Sequence, residues 1–380
     1  MLPCKRLVII AGEESGDQHA AQLVRLLKAK HPSLLISGIG GKHMEAAGVP
    51  LISDLARFGV TGLMEVFRHL RVIHKAERAI RAHLTANKPD LLILVDYPGF
   101  NLRLAKFAKR TLGCRILYYI SPQIWAWKAK RIHVIRECVD HMAVILPFEK
   151  KIYEHAGVPV SFVGHPLTAR IDAVEQNLPR RETYGLPSQK RLIALLPGSR
   201  INEIERHMPV LRDTAIQLAK QFPDLHFVLP IAGSLEPAMV KSFWPTEAPP
   251  CTFIQGKALE IAACSDFIIV GSGTASLECA LLKKPMCIIY KVSFISSLAV
   301  AAVIKVKYLG LCNLLQQKMI VPELLQYDCN VTELTRVMHT LLTDPTAAAN
   351  MQGRLATLKH SLSLSQMDTS LLALVESMLF

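Results

Sequence analysis

Short, largely apolar runs recur along the chain, and each gives way to small or polar residues and then to a stretch with helical spacing. The runs at 6–11, 34–38, 91–95, 115–120 and 142–146 predict strands, and the segments at 17–30, 62–87, 101–112 and 124–137 predict helices. The pattern then restarts, with strands expected at 191–196, 226–230, 266–270 and 286–290 and helices at 203–221, 256–264 and 274–283. Continuous rather than alternating apolar runs belong to strands buried on both faces, and alternation of strand with helix builds parallel sheets covered on both sides. The expected class is therefore α/β, with two Rossmann-like parallel-sheet domains facing a cleft and joined near Gly164 to Pro187. The boundaries read as 1–168 and 169–354. The stretch 355–380, with its apolar helix around Leu371 to Leu379, is left to dock, and the first domain is the candidate surface.

Composition narrows the setting. A chain of 380 residues, 51% hydrophobic, has room for two ordinary cores. The nine cysteines are odd in number and include no C-x-x-C pair, which argues against a disulfide framework or a cysteine–histidine metal site and for a reducing cytosol. The opening MLPCKRLVIIAGEESGD has an apolar run too short for a signal peptide, and acids follow it at once, so it reads as a first strand. The net charge of +13 points to an anionic partner: nucleic acid, a phosphorylated metabolite or acidic lipid. The run FISSLAVAAVI (294–304) is too short to span a bilayer, and Lys305 and Lys307 follow it; it suits a core helix or an interfacial one. On the helix expected at 62–87, Arg68, Arg71, Lys75, Arg78 and Arg81 form a basic stripe beside an apolar one. Such a stripe is ordinarily a solvated face. Together with 294–304 it would also seat the protein on an anionic membrane.

Candidate chemistry collects where strands end. In DFIIVGSGTASLECALL a strand, a glycine turn and a helix follow one another, and the amides around Gly273, Thr274 and Ala275 suit phosphate oxygens. A dinucleotide fingerprint is not met, because Ser276 replaces its third glycine and no carboxylate lies about 20 residues on. Glu278 is close enough to reach ribose hydroxyls, or is simply a solvated helix residue. LIALLPGSRINEIERHMP repeats the arrangement, with Ser199 as the expected helix cap and Arg200 as a cation for phosphate, unless pairing with Glu203 is its whole role. Two anion-compatible turns on one sheet suggest a diphosphate. In VIIAGEESGD, Glu13, Glu14, Ser15, Gly16 and Asp17 make a poor phosphate cradle and suit hydroxyls, as of a sugar; capping by Ser15 or Asp17 is the plain alternative. In LVDYPGFN, Asp96 is either a turn residue or a carboxylate held at a crevice. His165 in VGHPL reads as hinge or packing before catalysis. Trp125 and Trp127, beside Lys128, Lys130 and Arg131, face different ways on a helix, so one of them should be near a surface or cleft.

Ten stretches taken together resemble the lipid A disaccharide synthases, inverting glycosyltransferases of the GT-B type. They are AGEESGD (11–17), GVTGLMEV (59–66), VDYPGFN (95–101), YYISPQIWAWKAKRI (118–132), LPFEK (146–150), GHPL (164–167), LPGSRINEI (196–204), GSGTASLE (271–278), LCNLL (311–315) and VPELLQ (321–326). Glu14, where alanine is more usual, and Cys312, where proline often precedes the asparagine, depart from the pattern. The resemblance implies transfer of 2,3-diacylglucosamine from UDP-2,3-diacylglucosamine to 2,3-diacylglucosamine 1-phosphate. The products would be the β-1′,6-linked disaccharide 1-phosphate and UDP, in the making of lipid A for the Gram-negative outer membrane. It also implies a cytoplasmic enzyme bound peripherally to the anionic inner-membrane surface, and a homodimer that swaps C-terminal segments. Inversion needs a base for the acceptor hydroxyl, for which Asp96 is the candidate. No D-x-D is present, so no metal or other cofactor is expected; Arg200 and the helix start at 273–275 would stabilise the departing diphosphate. Glu278 would hold ribose, Asn313 would lie near the donor, and Glu13, Ser15 and Gly16 would face the cleft. Another UDP-sugar enzyme of this fold, transferase or epimerase, would use the same second domain. A nucleic-acid-binding protein rests on charge alone and lacks the interleaved aromatics of a binding module, so no nucleic-acid partner is expected.

Overall fold

The computed structural model describes residues 5–56, 63–125, 128–292, 307–363 and 367–380, with the backbone alone for 63–70. The chain forms two compact units, one of 1–166 with 364–380 and one of 167–363.

The first unit is a seven-stranded parallel sheet. Its strands are β1 (Arg6–Ala11), β2 (Leu35–Gly40), β3 (Leu51–Asp54), β4 (Leu91–Val95), β5 (Ile116–Tyr119), β6 (His141–Val144) and β7 (Val160–Phe162), in the order β3-β2-β1-β4-β5-β6-β7. Between them run α1 (Glu14–Lys30), α2 (Lys42–Ala46), α3 (Leu63–Ala86), α4 (Pro98–Leu112), α5 (Arg131–Cys138) and α6 (Pro147–His155). All five residues of β4 are fully buried, each stabilising the fold by about 1.5–3 kcal/mol. Asp96 is where that run stops.

The second unit opens with α7 (Pro166–Gln176) and carries a six-stranded parallel sheet. Its strands are β8 (Arg191–Leu196), β9 (Leu225–Ile231), β10 (Cys251–Gln255), β11 (Phe267–Gly271), β12 (Met286–Tyr290) and β13 (Glu323–Leu325), ordered β10-β9-β8-β11-β12-β13. Its further helices are α8 (Ile201–Gln221), α9 (Pro237–Ser242), α10 (Ala258–Cys264), α11 (Thr274–Leu281), α12 (Leu311–Gln316), α13 (Val331–Thr343) and α14 (Pro345–Leu362).

Two expectations change. The helix expected at 124–137 begins only at Arg131, and Trp125 lies in a turn before it, so the helical-face argument for Trp125 and Trp127 does not apply; Trp127 lies outside the described residues. The stretch 355–380 divides. α14 buries Met351, Leu355, Leu358 and Leu362 in the second unit's core, and Lys359 pairs with Asp172 and Glu175 there. α15 (Leu371–Leu379) returns to the first unit, where Leu374, Val375 and Leu379 join the core beside α1. Glu376 meets Lys30 and His31 at 2.8 and 2.7 Å. Asp368 accepts the Phe162 amide at 2.8 Å and the Lys150 ammonium at 2.6 Å.

Candidate active site

Each sheet has a point where the strand order reverses: between β1 and β4 in the first unit and between β8 and β11 in the second. Ligands of open α/β sheets bind beyond the carboxyl ends of the strands at such points.

At the first point stand Glu13, just after β1, and Asp96 with Tyr97, just after β4. Asp96 and Tyr97 both adopt φ of +45°, a left-handed conformation that costs a non-glycine residue about 1–2 kcal/mol. Local bonds hold it. The Asp96 amide donates to the Tyr119 carbonyl at 3.0 Å. The Asp96 carbonyl accepts from the Tyr118 hydroxyl at 2.6 Å and the Asn101 amide at 2.7 Å. Asn101 is itself buried and also reaches the Val95 carbonyl at 3.1 Å. Gly12 is needed opposite: a Cβ there would lie 2.1 Å from the Tyr97 ring. The Asp96 carboxyl is thus fixed in a half-buried place. Burial first, and the nearby Glu13 second, raise its pKa to about 7, against a smaller pull from the Tyr97 amide. A general base works best near the operating pH.

A third carboxyl in this region carries no signal in the sequence beyond its place in LPFEK. Glu149 on α6 is 1% exposed. One oxygen accepts the Trp125 indole N–H at 3.1 Å, and the other meets no hydrogen-bond partner of normal geometry. Burial, with the Asp96 charge adding to it, raises this pKa to about 8, so the group is a neutral acid at pH 7. Trp125 therefore has its own polar partner, and its ring stands edge-on to Phe148.

Other first-unit candidates fall elsewhere. Asp17 is fully buried and accepts the amides of Gly41, His43 and Met44 at 2.8–3.1 Å, so it caps α2 rather than its own helix. Ser15 is exposed in the first turn of α1 and caps nothing. Gly16 is buried against Val95 with ordinary room for a Cβ. His165 is buried, and burial, with a contribution from His19, lowers its pKa to about 4, which keeps it neutral. Arg71, Lys75 and Arg78 line a groove of about 850 Å³ together with Arg81 and Arg103. Within it Glu77 pairs with Arg81 at 2.6 Å and Arg103 at 3.3 Å. The side chain of Arg68 and the whole of Lys305 lie outside the described residues. Lys307 is exposed, its ammonium 5.4 Å from the centre of the Tyr308 ring.

At the second point a cavity of about 320 Å³ brings together Ser199, Arg200, Gly273, Thr274 and Ala275. The expected cap by Ser199 is replaced. Glu203 turns back to accept the Ser199 and Arg200 amides at 2.9 and 3.3 Å, because a carboxylate satisfies both donors where a hydroxyl satisfies one. Gly198 is required beneath it: its φ is +127°, and a Cβ would lie 2.1 Å from the Glu203 carboxylate. Arg200 approaches Glu203 only at 3.5 Å, and its side chain stays 58% exposed, free to meet an anion. Across the cavity α11 opens at Thr274, where the Thr274 and Ala275 amides lack an intrahelical partner and, with the helix dipole, favour negative charge.

Glu278 and Asn313 are not among the residues lining this cavity. Glu278 pairs with Arg170 at 2.8 Å, and burial raises its pKa while Arg170 holds it back. The Asn313 side chain braces its own loop. Fully buried, its amide donates to the Val321 carbonyl and Glu323, and its oxygen accepts the Ile320 and Val321 amides, all at 2.6–2.9 Å. That uses both donors and both acceptor sites. Among the described residues no group of three or more His, Cys, Asp and Glu side chains is arranged to hold a metal ion.

Known proteins resemble the chain in sequence and in fold. Residues 7–375 match the family model described as lipid-A-disaccharide synthetase. Lipid-A-disaccharide synthase 1 of Legionella pneumophila (strain Philadelphia 1) is 60% identical over 370 residues, covering 97% of this chain and 96% of the relative. Among solved structures, the glycotransferase of kitacinnamycin superposes with a TM-score of 0.63 at 14% identity, covering all of both chains. The UDP-GlcNAc 2-epimerase of Neisseria meningitidis bound to UDP-GlcNAc superposes with a TM-score of 0.62 at 14% identity, covering 99% of each. Both structural likenesses speak for the fold, GT-B, alone.

Proposed function

The chain belongs to the lipid-A-disaccharide synthetase family and is a glycosyltransferase, and on that premise we propose how its residues divide the work. The donor is UDP-2,3-diacylglucosamine and the acceptor 2,3-diacylglucosamine 1-phosphate. The acceptor's 6-hydroxyl attacks the anomeric carbon as the bond to UDP breaks, and the configuration inverts from α to β. Asp96 takes the hydroxyl proton, an effect of ~10²–10⁴-fold for a placed base. The observation that carries this role is the left-handed turn at Asp96, pinned by Tyr118 and Asn101, with a carboxyl whose pKa is about 7.

Arg200 and the opening amides of α11 receive the negative charge that grows on the diphosphate, so the transfer runs without a metal. Glu278, held by Arg170, is the candidate for ribose. Glu13 adds to the burial that raises the proton affinity of Asp96. The groove of Arg71, Lys75 and Arg78 supports cytoplasmic, peripheral attachment to an anionic inner-membrane surface through charge; no helix among the described residues is long and apolar enough to cross a membrane. A homodimer belongs to the same reading.

A transfer assay with both acylated substrates, run in excess chelator and repeated with a deacylated donor, tests the whole. The β-1′,6-linked product should form unimpaired in chelator and fall sharply with the deacylated donor. Transfer that stops in chelator, or that ignores the acyl groups, contradicts the reading.

A further inference from the structure

His207 lies in the first half of α8, 1% exposed, and is not among the residues lining the 320 Å³ cavity. Its Nδ1 is 2.5 Å from the carbonyl oxygen of Pro197, and its Nε2 is 3.0 Å from the amide nitrogen of Lys291. A carbonyl can only accept and a backbone amide can only donate. The tautomer is therefore fixed: Nδ1 carries the hydrogen and donates it to Pro197, and Nε2 accepts from Lys291. Burial lowers the ring's proton affinity in the same sense.

The two partners matter because of where they sit. Pro197 precedes Gly198, whose φ of +127° starts the turn that presents Ser199 and Arg200. The same carbonyl is the point of approach to the other turn, since a Cβ at Gly271 would lie 3.1 Å from it. Lys291 directly follows β12, whose Ile289 carbonyl accepts the Ser272 amide at 2.9 Å. One neutral ring thus ties the end of β8, which carries one anion-facing turn, to the end of β12, the neighbour of β11, which carries the other.

We propose that His207 is a positioning residue for the diphosphate pocket, fixing the Pro197 carbonyl and through it the Gly198–Arg200 turn. The proposal rests on the donor reading above. In substitutions, the Asn amide nitrogen takes the place of Nδ1 and keeps the bond to Pro197, whereas Gln offers an acceptor near Nε2 and keeps only the bond to Lys291.

Calorimetric binding of UDP to the full chain separates the possibilities, with melting temperature and the two substrate KM values measured alongside. His207→Ala and His207→Gln should weaken UDP by ~10-fold, the scale of one buried hydrogen bond. They should raise the donor KM in step and leave the acceptor KM unchanged. His207→Asn should stay within about threefold of the parent. If His207→Ala does not fold, the Asn–Gln pair carries the test. Ala and Gln variants that bind UDP as tightly as the parent, even with a lowered melting temperature, overturn the proposal, as does an Asn variant as weak as Gln. A parent chain that fails to bind UDP defeats the donor reading itself. Nitrogen-15 spectra of the parent should show His207 protonated at Nδ1; protonation at Nε2 is the contrary result.

Discussion

The two sheets reverse their strand order at equivalent places and furnish those places with opposite charge. Beyond β1 and β4 stand two carboxyls, Glu13 and Asp96, and Glu13 adds to the burial that disfavours ionisation of Asp96. Beyond β8 and β11 stand an exposed guanidinium and the opening amides of a helix. Winding decides where a crevice forms, and only the residues in it decide which chemistry it serves. The acidic crevice suits proton removal from a hydroxyl, and the cationic one suits a diphosphate. The backbone follows the same division. At Asp96 it is held in a costly left-handed turn by side chains from β5 and α4, whereas at Gly198 a glycine meets the unusual φ directly.

The largest effect that would separate the two crevices is Asp96→Asn, which should lower turnover by ~10²–10⁴-fold and leave UDP affinity within twofold of the parent by calorimetry. A variant that loses UDP as well would erase the distinction. Next comes Arg200→Ala. It should lower kcat/KM for the donor by ~10²-fold, as loss of a charge-stabilising group does, without moving the acceptor KM. Steady-state kinetics with each substrate varied in turn reads that split directly.

The smallest effect concerns Glu149, the neutral acid of the first unit. Its pKa is raised in the folded protein to about 8, so folding favours the protonated form. That contribution is full below the unfolded value and is lost as pH rises through about 8. Glu149→Gln keeps the neutral shape and has no proton to lose. Its melting temperature should match the parent's near pH 4, below the unfolded value, and exceed it by several degrees at pH 9. Equal melting curves at both pH values would mean that Glu149 is not held neutral by burial.

Much of this was legible in the sequence, and the failures have physical causes. The central strands declared themselves because burial on both faces leaves an unbroken apolar run, as in Leu91 to Val95. The four strands missed, β3, β7, β10 and β13, are the edges of the two sheets; they are short, and none is buried throughout. An edge strand has one neighbour and one wet side, so its residues carry no continuous signal. Asp96 could be singled out because it follows a buried strand directly, and Arg200 because it stands in the short turn between a buried strand and a helix. The bracing of Asn313 was not legible, because an asparagine in a recognised stretch looks alike whether it meets a ligand or its own backbone, and only its four bonds show the backbone role. Glu149, His207 and the clamp of Tyr118 and Asn101 depend on contacts between segments far apart or on hydrogen-bond direction, which spacing does not encode.

The pH dependence of kcat/KM for the acceptor is the most direct test that Asp96 is the base. The account predicts activity that rises tenfold per pH unit below about 7 and levels off above it, as a carboxyl with a pKa of about 7 loses its proton. An acid limb near pH 4, the ordinary value for an aspartate, or a profile flat from pH 5 to 8 would contradict it.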